Sequence, residues 1–151
     1  MVLSGDTMVK RILYVEDHFN NMILLKRIVT AEGHEFLAAV DGEMGWALAQ
    51  AEQPDLIFID LHLPGEIDGY DLLRLLKADE RLKRVPAVVL TAYGHGDAEF
   101  RAKDAGCDAF LHKPADIRQV RSVIRQYVGS PDKISLSPPS ILALADNTPK
   151  A

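Results

Sequence analysis

Five residues with charged or hydroxyl side chains stand directly at the ends of short apolar runs. Glu16 and Asp17 follow the first run, and Asp60 follows the third. Thr91 follows the fourth run, and Lys113 comes one residue after the fifth. If the runs are strands that end at one edge of a sheet, three carboxylates, one hydroxyl and one ammonium group meet there.

Carboxylates gathered in this way repel one another. Two of them about 4 Å apart cost roughly 4 kcal/mol at an effective dielectric near 20, so all three stay ionised only beside positive charge. A divalent cation would supply that charge. Hard oxygen ligands favour Mg²⁺, and His18, His95 and His112 do not have the spacing of a metal-ligand set.

The elements that must position these groups are βα units. Between residues 10 and 128, apolar runs alternate with helical patterns, which predicts a parallel sheet in a three-layer α/β domain. Near-continuous apolarity suits strands covered on both faces. Because right-handed crossovers put all strand carboxyl ends at one edge, we expect the site there. The predicted strands are 12–15, 36–39, 56–59, 87–90 and 109–111.

Helix positions follow from apolar spacing and from capping residues. Two helix stripes are predicted, one formed by Leu24, Ile28 and Ala31 and the other by Ile117, Val120 and Ile124. Asp41 and Asp97 are candidate N-caps, whereas Gly33 and Gly106 stand where helices should end.

The ordered set of motifs closely resembles the receiver domains of two-component response regulators. The resemblance covers residues 9–128 and implies a flavodoxin-like, doubly wound (βα)5 fold with a five-stranded parallel sheet in the order 2-1-3-4-5. The motifs that carry it are Glu16-Asp17, Asp60 with Leu63-Pro64, Thr91-Ala92 and Lys113-Pro114.

This resemblance implies a role for each acidic residue. Asp60 would be the phospho-acceptor, whose carboxylate attacks the phosphorus of a phosphohistidine. Asp17 and Asp60 would bind Mg²⁺ directly, while Glu16 would act mainly through water. The backbone carbonyl of His62 would supply a further ligand. His62 and Tyr93 would also control access of water to the acyl phosphate.

The resemblance further implies how the phosphoryl group is held and sensed. Lys113 would pair with Asp60 and then with phosphoryl oxygens, and its bond to Pro114 is expected to be cis. Thr91 would donate its hydroxyl to the phosphoryl group and, as the loop moves, let Phe110 turn inward. Phe110 stands where many receivers have tyrosine.

One loop departs from the commonest receiver pattern. The segment 64–69 is one residue longer between its proline and its glycine. Glu66 within it would either add negative charge at the metal site or point into solvent, and we predict solvent.

Composition limits the remaining possibilities. The chain has 151 residues and a formal charge of −5, which argues against direct nucleic-acid binding. One cysteine, Cys107, allows no intrachain disulfide, and no apolar run or leader pattern indicates membrane insertion or export. We therefore expect a cytoplasmic protein with a flexible extension at 1–8, a receiver at 9–128 and a largely disordered tail at 129–151.

The expected function is that of a single-domain signalling switch rather than an enzyme. Its partners would be a histidine kinase or histidine phosphotransfer protein, which docks on the helix at 20–31, and a downstream protein target. Whether the protein forms a homodimer is left undecided by the sequence. One alternative is a receiver-like scaffold that is not phosphorylated. Another is an aspartate-nucleophile phosphatase, which needs a second Asp where this chain has His62.

Overall fold

Strands and helices alternate along the chain, as the apolar pattern predicts. The structure, a computed structural model, describes residues 8–92 and 96–129. Its elements are β1 (Arg11–Val15), α1 (Phe19–Ala31), β2 (Glu35–Ala39), α2 (Gly42–Glu52), β3 (Leu56–Ile59), α3 (Gly69–Ala78), β4 (Ala87–Thr91), α4 (Ala98–Asp104), β5 (Ala109–His112) and α5 (Ile117–Val128). Each predicted strand agrees with an observed one to within one residue at either end.

The five strands form one parallel sheet in the order β2-β1-β3-β4-β5, which confirms the predicted topology. The chain turns from one side of β1 to the other after β2, so strand order reverses between β1 and β3. Val15 of β1 is in register with Ile59 of β3. The next residue of each strand, Glu16 and Asp60, therefore stands at the reversal point, where open α/β sheets bind ligands.

Alternation along the strands divides the core into two apolar layers. On β1, Leu13 and Val15 pack into the layer that contains α2, α3 and α4, whereas Ile12 and Tyr14 pack into the layer that contains α1 and α5. Because both faces of the sheet are covered, β3 and β4 are buried at every position. The site is thus built on a rigid platform.

Two details of the helix stripes were wrong. In α1 the buried residues are Leu25, Ile28 and Val29, while Leu24 is half-buried and Ala31 is exposed. Leu24 still packs against the apolar layer that contains α1 and α5, so the misplaced member of the predicted α1 stripe is Ala31. In α5 Ile117 is 46% exposed.

In α5, Val120 and Ile124 are buried as predicted, together with Val123 and Val128.

The predicted helix boundaries are otherwise confirmed. The Asp41 carboxylate accepts a hydrogen bond from the backbone N–H of Met44 at 2.7 Å. Asp97 occupies the N-cap position of α4 without a side-chain capping bond. Gly33 and Gly106 follow the ends of α1 and α4. Across residues 8–92 and 96–129, no helix combines the length and apolarity needed to cross a bilayer.

Candidate functional site

Asp60 lies at the carboxyl end of β3 with an ammonium group beside it. Its side chain is nearly buried, and Asp60 as a whole is 3% exposed. Lys113 Nζ donates to Asp60 Oδ2 at 3.1 Å and also to Glu16 Oε1. The backbone N–H of Asp60 donates to the carbonyl of Val15 at 3.1 Å. The structure therefore brings Glu16, Asp60 and Lys113 into one cluster, as predicted.

Glu16 is fully buried and surrounded by donors. Besides Lys113, Tyr14 Oη donates to Oε1 at 2.9 Å and Asn21 Nδ2 donates to it at 3.3 Å, while the backbone N–H of His18 donates to Oε2 at 3.1 Å. Burial alone would raise the pKa of Glu16, but these hydrogen bonds and the charge of Lys113 lower it to about 2. Glu16 is ionised at neutral pH.

Asp17 provides the most accessible carboxylate at this edge. Its side chain is 33% exposed, and the ring nitrogen Nδ1 of His18 lies 3.2 Å from Asp17 Oδ1. One ligand atom each from Glu16, Asp17 and His18 lie within 4.8 Å of one another. From the histidine spacing, His18 is not expected to be a metal ligand. In the structure its ring lies beside both Glu16 and Asp17.

The donor set suits Mg²⁺. Carboxylate oxygens are the hard ligands this ion prefers, and within residues 8–92 and 96–129 the cluster of Glu16, Asp17, Asp60 and Lys113 is net negative, which favours a divalent cation. Glu16 already accepts hydrogen bonds from Tyr14, Asn21, Lys113 and the backbone N–H of His18, whereas the Asp17 side chain is 33% exposed. The backbone N–H of His62 lies 3.4 Å from Asp60 Oδ1, which keeps the His62 backbone beside the acid.

The remaining predicted site residues are on β4 and β5. Thr91 ends β4 and is fully buried, in register with His112. Phe110 is half-buried opposite Val89, with its ring 5.3 Å from the ring of His112. The peptide bond between Lys113 and Pro114 is cis, which confirms the prediction.

The loop between β3 and α3 packs closely on the backbone of Asp60 at one end and is hydrogen-bonded to Glu43 of α2 within it. A Cβ on Gly69 would lie 2.4 Å from the carbonyl oxygen of Asp60, so only glycine lets α3 begin this close beneath the acid. Gly65 has a φ of +90°, and Glu43 Oε2 accepts from the backbone N–H of Glu66 at 3.0 Å. The Glu66 side chain is exposed, as predicted.

Sequence reasoning missed three contributors to this site, namely Tyr14, His18 and Asn21. For Tyr14 a signal existed, because residues two apart on a strand share a face and Tyr14 is the polar-tipped residue two before Glu16. Tyr93, residues 1–7 of the predicted extension 1–8 and residues 130–151 of the predicted tail 129–151 lie outside the described residues, so the predictions that concern them stay predictions.

Comparison with known proteins agrees with this geometry. Residues 12–125 match the family model of the response regulator receiver domain. The chain is 34% identical over 122 residues to the polar-differentiation response regulator DivK of Brucella ovis, covering 81% of this chain and 98% of DivK.

Two solved structures are similar. The receiver domain of the sensor histidine kinase PA1611 from Pseudomonas aeruginosa, with a magnesium ion coordinated in its active site cleft, has a TM-score of 0.73 and 30% identity, covering 82% of this chain and 100% of that one. The phosphorylated cyanobacterial phytochrome response regulator RcpA has a TM-score of 0.69 and 30% identity. The match covers 80% of this chain and 94% of that one.

The match extends over most of the chain and includes every strand of the sheet and the acidic edge built on it. The chain therefore belongs to the family of response regulator receiver domains.

Proposed function

We propose that this receiver is a switch that accepts a phosphoryl group on Asp60 from a histidine kinase or a histidine phosphotransfer protein. The observation that carries the proposal is the contact of Lys113 Nζ with Asp60 Oδ2 at 3.1 Å, at a buried strand end next to two further acids. A nucleophilic carboxylate, a fixed cation and a cation-binding acid pair are what phosphoryl transfer requires.

The reaction is a displacement at phosphorus. The P–N bond of the donor phosphohistidine breaks as a P–O bond to Asp60 forms, and the departing imidazole keeps the electron pair and takes a proton. The ammonium group of Lys113 follows the charge from the carboxylate to the phosphoryl oxygens. Thr91 donates its hydroxyl to another of these oxygens.

Bound Mg²⁺ would neutralise the charge that gathers on the phosphoryl oxygens. Asp17 and Asp60 would hold it through carboxylate oxygens and His62 through its backbone carbonyl. Glu16 would act through water, because its own oxygens already accept several hydrogen bonds from the chain.

Phosphorylation would act on other proteins through the surface formed by α4, β5 and α5. Movement of Thr91 toward the phosphoryl group would open space for Phe110 to turn further inward, remodelling the surface formed by α4, β5 and α5. The donor would dock along α1, and a downstream protein would respond to the remodelled surface. Since the donor kinase uses cytoplasmic ATP, the proposal places the protein in the cytoplasm.

Phosphorylation is tested by incubating the protein with acetyl phosphate and measuring the intact mass. With Mg²⁺ we expect a gain of one phosphoryl group, and with EDTA in place of Mg²⁺ we expect none. A protein that keeps its mass in Mg²⁺ with acetyl phosphate, and also with a phosphorylated histidine phosphotransfer protein, would instead be a receiver-like scaffold.

The side chains that follow the acid and the hydroxyl should set the lifetime of the phosphoryl group. His62 is two residues after Asp60 and exposed, and Tyr93 is two residues after Thr91. In a His62→Asn, Tyr93→Ala variant we expect hydrolysis to be several-fold faster, because smaller side chains admit water. Decay of the phosphorylated mass after removal of the donor measures this rate, and equal half-lives would contradict the prediction.

A further inference from the structure

Tyr14 has a phenol group that the phosphoryl-transfer reaction, as described, does not use. Its side chain points from β1 into the layer that contains α1 and α5, and it is 1% exposed. The hydroxyl donates to Glu16 Oε1 at 2.9 Å. A buried hydroxyl without a partner is costly, and Glu16 supplies that partner.

The aromatic ring and the hydroxyl of Tyr14 have separable roles. Phe58 is the residue in register with Tyr14 on β3, and the two rings pack edge to face with centroids 6.3 Å apart. Phe58 fills the same layer without any polar group and is fully buried. Apolar packing at this level of the core therefore needs a ring but no hydroxyl, which leaves the contact with Glu16 as the function of the hydroxyl.

Glu16 Oε1 is the point where several donors compete. Tyr14, Asn21 and Lys113 all donate to this one oxygen, and a carboxylate oxygen offers only about two lone-pair directions. Lys113 is shared between this oxygen and Asp60 Oδ2. A donor that fixes the Glu16 carboxylate therefore also fixes the oxygen to which Lys113 donates, and Lys113 is thereby held in reach of Asp60.

We propose that the buried hydroxyl of Tyr14 is a positioning group for this site, fixing the Glu16 carboxylate and, through it, the Lys113 ammonium beside Asp60. The consequence for phosphorylation rests on the proposed function of Asp60. The placement of Lys113 does not, and it has its own measurement.

The test is Tyr14→Phe, with Tyr127→Phe as the matched control. The Tyr127 hydroxyl lies away from Glu16 and donates to the backbone carbonyl of Asp108 at 3.4 Å. Because a hydrogen bond to a charged group is lost, we expect phosphorylation by acetyl phosphate at saturating Mg²⁺ to slow about tenfold in Tyr14→Phe. It should stay within about twofold of wild type in the control.

The second measurement is made without Mg²⁺ or phosphodonor. In ¹⁵N NMR spectra, the Lys113 ammonium protons should exchange with water about tenfold faster in Tyr14→Phe than in wild type or in Tyr127→Phe. Thermal unfolding should shift to somewhat lower temperature, since the buried Glu16 carboxylate loses one donor while phenylalanine keeps the packing of the ring. A mere loss of stability would not move the Lys113 signal of the folded protein.

Glu16→Gln checks the route. If Tyr14 acts through Glu16, adding Tyr14→Phe to Glu16→Gln slows phosphorylation by much less than tenfold, and a full additive loss would overturn the proposal. Unchanged Lys113 exchange in Tyr14→Phe would also overturn it, as would failure of that variant to fold. If wild type takes no phosphoryl group, the proposed function fails, while Lys113 exchange still decides the placement.

Discussion

The Asp60→Asn variant is expected to gain no phosphoryl group under conditions in which the wild type gains one. An amide has no ionised oxygen with which to attack phosphorus, and neighbouring acids cannot substitute. Glu16 is fully buried and accepts hydrogen bonds from Tyr14, Lys113 and the backbone N–H of His18. Asp17 follows the end of β1, and the second carboxylate that Lys113 contacts is that of Asp60. Intact mass after incubation with acetyl phosphate and Mg²⁺ gives the answer directly.

Asp55→Asn is the matched control for this experiment. It makes the same chemical change immediately before β3, at the opposite end of the strand, where Asp55 Oδ2 accepts from the backbone N–H of Arg11 at 2.9 Å. This variant should be labelled like the wild type. Labelling of Asp60→Asn would mean that another side chain is the acceptor, and the proposed chemistry at Asp60 would be wrong.

Lys113→Ala should produce the second largest loss. Lys113 Nζ contacts both Glu16 and Asp60, so its removal takes away the fixed cation that meets the developing charge. Loss of one group that stabilises transition-state charge lowers rates by about 10²–10³-fold in enzymes, and we expect a loss of that order in the rate of phosphorylation at saturating Mg²⁺.

The same variant should also be less stable in the absence of Mg²⁺. Glu16 is fully buried, and removing the cation from a buried pair costs about 3–5 kcal/mol. Urea unfolding should show a loss of that order, and adding Glu16→Gln should recover part of the stability but not the rate. Lys103→Ala, which removes only an exposed pair with Glu99, should change stability by less than about 1 kcal/mol. Equal effects of the two lysine variants would contradict the site geometry.

Much of the fold could be predicted because it depends on local and periodic features. Buried strands in a parallel sheet are apolar at nearly every position, so the runs at 12–15 and 56–59 stood out. The handedness of crossovers then fixed which ends meet. Glu16, Asp17, Asp60 and Lys113 were found for this reason, since each lies at or near the carboxyl end of such a run.

What escaped prediction depends on distances between elements. Arg125 of α5 donates to both oxygens of Glu32, at 2.7 and 3.0 Å, just beyond the end of α1, across 93 positions of sequence. Asn21 reaches Glu16 from the first turns of α1 only because of how that helix sits on the sheet.

The depth of Asp60 has a consequence for how a signal would end. Asp60, the proposed acceptor, is 3% exposed and therefore lies below the protein surface. Small solutes and single protruding side chains can reach a recessed carboxylate, whereas a flat protein surface cannot. A protein that dephosphorylates Asp60 would therefore have to insert a side chain into the site or position a water molecule there for attack on the phosphorus. Small acyl phosphates would face no such demand, so in the proposed function they would phosphorylate Asp60 without a docking protein.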